Sequence, residues 1–130
     1  MLMLLAALIS ASIINPSENK YFIQFHKIDN QAKIYVQDSL IFESELIDGN
    51  PTLNLKVQLD KYLKKGDNRI RVELYNGSGD GFFEFDEHWE IYYEIFENDI
   101  PIDYLNEKSS NGKNGLVLTM NHEIFVPTDL

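Results

Sequence analysis

The chain contains no cysteine. Disulfides, thiolate metal sites, a cysteine nucleophile and a bacterial lipid anchor are thereby excluded. It also lacks a hydrophobic run of the roughly 20 residues that a membrane-spanning helix needs, and no segment carries a defensible helical periodicity. Lys and Arg are missing altogether from residues 72–107, where eleven acidic side chains accumulate. Residues 1–71 hold nine basic and eight acidic groups and residues 108–130 hold two of each, so the net charge of −10 sits in that one block. Such a balance excludes nucleic-acid binding and adhesion to an anionic membrane, both of which rely on Lys and Arg. It favours cations, basic proteins or neutral polar ligands as partners. A solvated face that keeps the protein soluble is the ordinary outcome unless the acids converge on a point. No nucleophile elbow, phosphate-binding glycine loop, zinc-protease helix or dinucleotide fingerprint is present, so catalysis has no signature.

The first residues, MLMLLAALISASII, carry no charge, and their apolar run has the length of a signal-peptide core. Small residues at Ser10, Ala11 and Ser12 place cleavage after Ser12 and predict an exported protein, periplasmic or secreted, although the usual basic start is absent. A first strand or helix packed on the domain is the competing reading, and poor alternation disfavours the strand. Residues 13–130 are read as one domain, long enough to bury about two-thirds of its unfolded surface.

From residue 21 onward, short alternating runs are separated by turn residues about every ten positions, the pattern of an all-β, single antiparallel β-sandwich of jelly-roll or Ig-like type. Residues 21–28 and 32–37 flank Asp29-Asn30-Gln31 and are expected to form a hairpin. Residues 40–46 follow with Leu40, Phe42 and Leu46 on one face. The clearest strand places Leu53, Leu55, Val57 and Leu59 on one side, and the next places Ile70, Val72 and Leu74 inward. Trp89, Ile91, Tyr93 and Ile95 form a further apolar set, leaving Glu90, Tyr92, Glu94 and Phe96 on the opposite face. A strand over 100–105, a polar loop over 106–115 and a final strand or two over 116–126 complete the expectation.

The passage VQLDKYLKKGDNRIRVELYN, residues 57–76, joins two of these strands through Lys64-Lys65-Gly66-Asp67-Asn68. It resembles a passage near the end of jelly-roll domains of the galactose-binding type, including the sugar-binding domain of family 2 glycoside hydrolases, over about residues 32–95. The resemblance speaks to architecture and implies carbohydrate binding through loops at one end of the sandwich, here residues 48–50 and 76–80. It matches no individual ligand residue.

Two sets of candidate site residues emerge. Tyr92 and Phe96, interleaved with Glu90 and Glu94, supply the aromatic faces and carboxylates that sugar recognition uses. They would be core instead if the other sheet or the 106–115 loop covered them. Residues 76–87 have the spacing of a calcium loop, with Asn76, Ser78, Asp80, Glu84 and Glu87 as oxygen donors and Gly81 at the bend. An Asn in first place and strand-like flanks count against calcium, and a plain connection is the commoner source of such spacing. His26, His88 and His122 are distant in sequence and are expected to be satisfied or surface groups.

The leading functional reading is a non-catalytic exported module that recognises a neutral glycan or cell-surface ligand. A periplasmic inhibitor or immunity-type protein docking on a basic partner through residues 72–107 is the alternative. A subunit of a surface assembly, completing its sheet with a neighbour's strand, is the third.

Overall fold

A strand with one dry face needs apolar side chains at every second position, and the chain forms strands where that alternation was read. The computed structural model describes residues 20–77 and 87–128. Among the described residues eight strands are formed: β1 (Tyr21–Asp29), β2 (Gln31–Val36), β3 (Ser39–Glu43), β4 (Leu55–Gln58), β5 (Gly66–Asn76), β6 (Trp89–Glu97), β7 (Ile100–Ser109) and β8 (Gly115–Val126). A single 3-10 turn over Asp60–Tyr62 lies between β4 and β5. Two antiparallel sheets result, ordered β4-β1-β6-β7 and β3-β2-β5-β8, and they pack face to face as a β-sandwich. No helix among the described residues is long and apolar enough to cross a membrane.

The inward faces follow the predicted parity. Ile23, Phe25 and Ile28 of β1 meet Ile91, Tyr93 and Ile95 of β6 within one sheet, while Ile34 of β2 pairs with Val72 of β5 in the other. All of these, with Ile70 and Leu74, are fully buried. Each large aliphatic or aromatic side chain taken from water in this way contributes roughly 1.5–3 kcal/mol, so the core is the main favourable term.

Three local expectations need correction. β1 and β2 are not a hairpin, because they belong to different sheets and the chain crosses the sandwich at Asn30. The Asn30 carboxamide donates to the Ile47 carbonyl at 2.9 Å and accepts from the Gly77 backbone N–H at 2.7 Å, which fixes the crossover with groups 17 and 47 residues away. Residues 106–109 are not loop but the end of β7; an edge strand largely exposed beyond the buried Leu105 tolerates polar side chains because the ladder to β6 holds it. The strand expected over 40–46 is only β3, ending at Glu43.

Five of the seven connections change sheets, leaving β2–β3 and β6–β7 as the hairpins. Both hairpins turn on two residues in the left-handed region, Gln37 and Asp38 in one and Asn98 and Asp99 in the other. Positive φ at both central residues matches the right-handed twist of the strands.

The connection from β4 to β5 is closed by one side chain. Asn68 accepts from the Lys64 N–H at 2.9 Å and from Gln37 Nε2 at 2.6 Å. Its Nδ2 donates to the carbonyls of Lys64 (2.8 Å), Gly66 (3.1 Å) and Ile124 (3.3 Å). Removing this buried amide strands several donors and acceptors at once. Asn68→Ala is expected to destabilise the fold by about 3 kcal/mol and lower the melting temperature by roughly 10 °C. Thermal unfolding followed by circular dichroism checks this, and a variant as stable as the parent would show the turn to be held by its backbone alone.

Candidate functional site

Strand register assembles the site. At one end of the first sheet, Asp29 of β1 lies opposite Glu90 of β6, and Glu90 lies opposite Lys108 of β7. Three side chains from distant parts of the chain thus stand in a row across adjacent strands. Trp89 pairs with Ser109 one step further along, and His88 and Ser110 continue both strands outward.

The connection between β3 and β4 folds over this row. Gly49 and Asn50 both take positive φ, +81° and +45°, which lets the backbone turn sharply and brings Asn50 above Glu90. Asn50 Nδ2 donates to Glu90 Oε1 at 2.8 Å, and Lys27 Nζ donates to the Asn50 carbonyl at 2.8 Å. His88 Nδ1 is 2.8 Å from Ser110 Oγ, and Trp89 Nε1 donates to Asn111 Oδ1 at 3.2 Å. Between these groups is an open-mouthed hollow of about 370 Å³, lined by Asp29, Asn50, His88, Trp89, Glu90, Lys108, Ser109 and Ser110. Asn50 Oδ1 is shielded from solvent and has no hydrogen-bond partner among the described residues.

This wall offers carboxylate and amide acceptors, ammonium and hydroxyl donors, and near-balanced charge. A ligand carrying several hydroxyls, each both donor and acceptor, can satisfy such a mixture, whereas an anion would meet two carboxylates and a simple cation would meet Lys108.

Of the four residues expected to bind ligand, only Glu90 reaches the hollow. Tyr92, Glu94 and Phe96 lie beside it on the outer face of the first sheet, half-buried and engaged with β1. Phe96 stacks on Phe22 at 4.9 Å, Tyr92 packs on His26 at 4.6 Å, and His26 Nε2 donates to Glu94 Oε1 at 2.8 Å. The other sheet does not cover them. Asn50 falls in a loop that the sequence had flagged, but Asp29, His88, Trp89, Lys108, Ser109 and Ser110 were missed. The signal that joins them is register, which alternation along each strand does not carry.

Of the proposed calcium ligands, Ser78, Asp80 and Glu84, with Gly81, lie outside the described residues. Asn76 ends β5 with its Nδ2 donating to the Lys113 carbonyl at 2.9 Å, and Glu87 is exposed just before β6. Among the described residues no group of three or more His, Asp or Glu is arranged to hold a metal ion.

All the described acids of residues 72–107 except Glu73 lie on β6, β7 or their ends, adjacent in the first sheet. Glu73 is on the second sheet, where Arg71 Nε donates to it at 3.2 Å and the Tyr75 hydroxyl donates to it at 2.7 Å. Glu94 is on the first sheet beside His26, and Glu97 pairs with Lys20 at 3.8 Å. Asp103 turns toward the sandwich interior, accepting from His122 Nδ1 at 2.7 Å. Because a carboxylate only accepts, that nitrogen carries the hydrogen, and in the neutral ring the buried Tyr93 hydroxyl donates to Nε2. The chain Tyr93–His122–Asp103 therefore ties β8 of one sheet to β6 and β7 of the other.

No family model, curated protein or solved structure matches the chain.

Three tyrosines are held in the protonated form. Burial and then the Glu73 carboxylate push Tyr75 up to about 12, and burial, reinforced by Asp103, raises Tyr93 above the ordinary tyrosine range. Burial followed by Glu97 raises Tyr21. The unfolded chain releases these protons near pH 10 and the folded chain later, so the folded state binds more protons across that window. The tyrosines' contribution to stability is expected to be level below about pH 10 and to fall between pH 10 and 12. Unfolding midpoints measured against pH, beside an ultraviolet tyrosine titration, check the direction; Tyr75→Phe should make the decline shallower.

Proposed function

We propose that the protein is a non-catalytic, exported binding module that holds a short neutral glycan in the hollow between Asp29, Asn50, Glu90 and Lys108. The observation that carries this reading is the hollow itself: donors and acceptors from three adjacent strands and a loop converge on a space of about 370 Å³, beside a tryptophan. A sugar with hydroxyls on neighbouring carbons would donate to Glu90 Oε2 and accept from Lys108 Nζ and the serine hydroxyls. Its less polar face would meet the half-buried ring of Tyr92, which lies on the same face of β6 as Glu90 and packs on His26.

Two features of the sequence support the same reading. The likeness of residues 32–95 to jelly rolls of the galactose-binding type implies ligand binding at a loop end of the sandwich, and the hollow is at such an end. The leader-like residues 1–12 favour export, where glycans on surfaces and in secretions are the abundant ligands.

The test is a screen of the purified protein on an array of neutral oligosaccharides, followed by titration calorimetry on any glycan retained. Glu90→Gln and Lys108→Ala are each expected to weaken binding roughly tenfold, the loss of one good hydrogen bond to ligand, with little change in melting temperature. A protein that retains no glycan, or whose binding survives both substitutions, would sink the reading.

A further inference from the structure

The two lateral sides of the sandwich are closed differently. On the β7/β8 side, His122 reaches from one sheet to Asp103 and Tyr93 of the other and bridges the gap. On the opposite side the edge strands β3 and β4 have no such bridge among the described residues, and a groove of about 460 Å³ separates them.

Its floor is an extension of the core. Leu55 pairs with the buried Phe25 and Phe42 with the buried Ile34, so both turn inward, and with Ile47 and Leu53 they pack on the core cluster while remaining partly exposed. Glu43 and Glu45 stand on the rim, both exposed. The groove also has backbone to offer. Leu53 and Leu59 donate their N–H groups to His26 and Tyr21 of β1, so the alternation of an antiparallel ladder turns the N–H and C=O of Asn54, Lys56 and Gln58 the other way. No strand of the described residues pairs with that side of β4.

An apolar floor in line with the core, an unpaired strand edge and two carboxylates on the rim together fit one kind of occupant. We infer that this groove binds an extended segment of a partner protein, with apolar side chains at alternate positions and Lys or Arg flanking them. The segment adds a strand to β4, drops its apolar side chains onto Phe42, Leu53 and Leu55, and places its basic residues against Glu43 and Glu45. Main-chain hydrogen bonds supply affinity and the alternate side chains specificity. A compact lipid or drug-like molecule would leave the β4 edge unpaired, and an acidic segment would meet like charge at the rim.

The proposal is separate from the glycan hollow and is tested separately. Two synthetic peptides, KKTVTVTVKK and EETVTVTVEE, serve as probes, titrated into the isotopically labelled protein and followed by amide chemical shifts. The basic peptide is expected to bind and to perturb residues 53–58 and 42–47, with the acidic peptide at least about tenfold weaker. Glu45→Lys should remove most of that preference. Lys56→Pro deletes an outward-facing N–H without breaking the ladder to β1, and should weaken the basic peptide while the protein stays folded. Equal binding of the two peptides, shifts confined to other surfaces, or no shifts at millimolar peptide would overturn the inference.

Discussion

The carboxamide of Asn68 is the point on which three parts of the sandwich depend. It closes the turn from Lys64, receives Gln37 from the β2–β3 hairpin and donates to the Ile124 carbonyl of β8. Gln37 in turn accepts from the Arg69 N–H at 3.0 Å, so that hairpin is fastened to the start of β5 by two side-chain amides. Asp38, at the tip, then takes Arg69 at 2.7 Å and Arg71 at 2.9 Å, which lowers its pKa. These exposed ion pairs add little by themselves. Their geometry is inherited from the buried amide, and that order of dependence explains why a short Gly-Asp-Asn turn carries so much of the architecture.

The core was legible because burial on one face of a sheet leaves a period-2 imprint. Ile70, Val72, Leu74, Ile91, Tyr93 and Ile95 were all read from it, and all are fully buried. What alternation cannot express is which sheet a strand joins. β1 and β2 have the same pattern whether they pair or face each other across the core, and the deciding group is Asn30, whose partners Ile47 and Gly77 are remote in sequence. For the same reason the hollow was only partly foreseen. Glu90 was named for its place between aromatics, but Asp29 and Lys108 become its neighbours only through β1–β6 and β6–β7 register.

Charge shows the same limit in another form. Along the chain the acids of residues 72–107 are segregated from all Lys and Arg. In space β6 sits between β1 and β7, so Glu94 meets His26, Glu97 meets Lys20 and Glu90 stands opposite Lys108, while Glu73 goes to the other sheet with Arg71. Strand pairing interleaves what the sequence separates. A block of like charge along a β chain is therefore partly neutralised in space, because the neighbouring strands bring cations against it.

The hollow and the groove share a wall. Residues 44–54 carry Asn50 into one and Ile47 and Leu53 into the other. The segment is pinned on the hollow side by Glu90 and Lys27, which hold Asn50, and on the groove side by the Leu53 N–H bonded to the His26 carbonyl at 2.8 Å. His26 itself packs on Tyr92 and bonds Glu94, beside the hollow. The two proposed sites therefore meet in one connection, whose Asn50 and Leu53 ends are both held by hydrogen bonds. If both were occupied, linkage would require any coupling to run equally in both directions: the factor that a strand on β4 applied to affinity at the hollow, a ligand in the hollow would apply to affinity at β4.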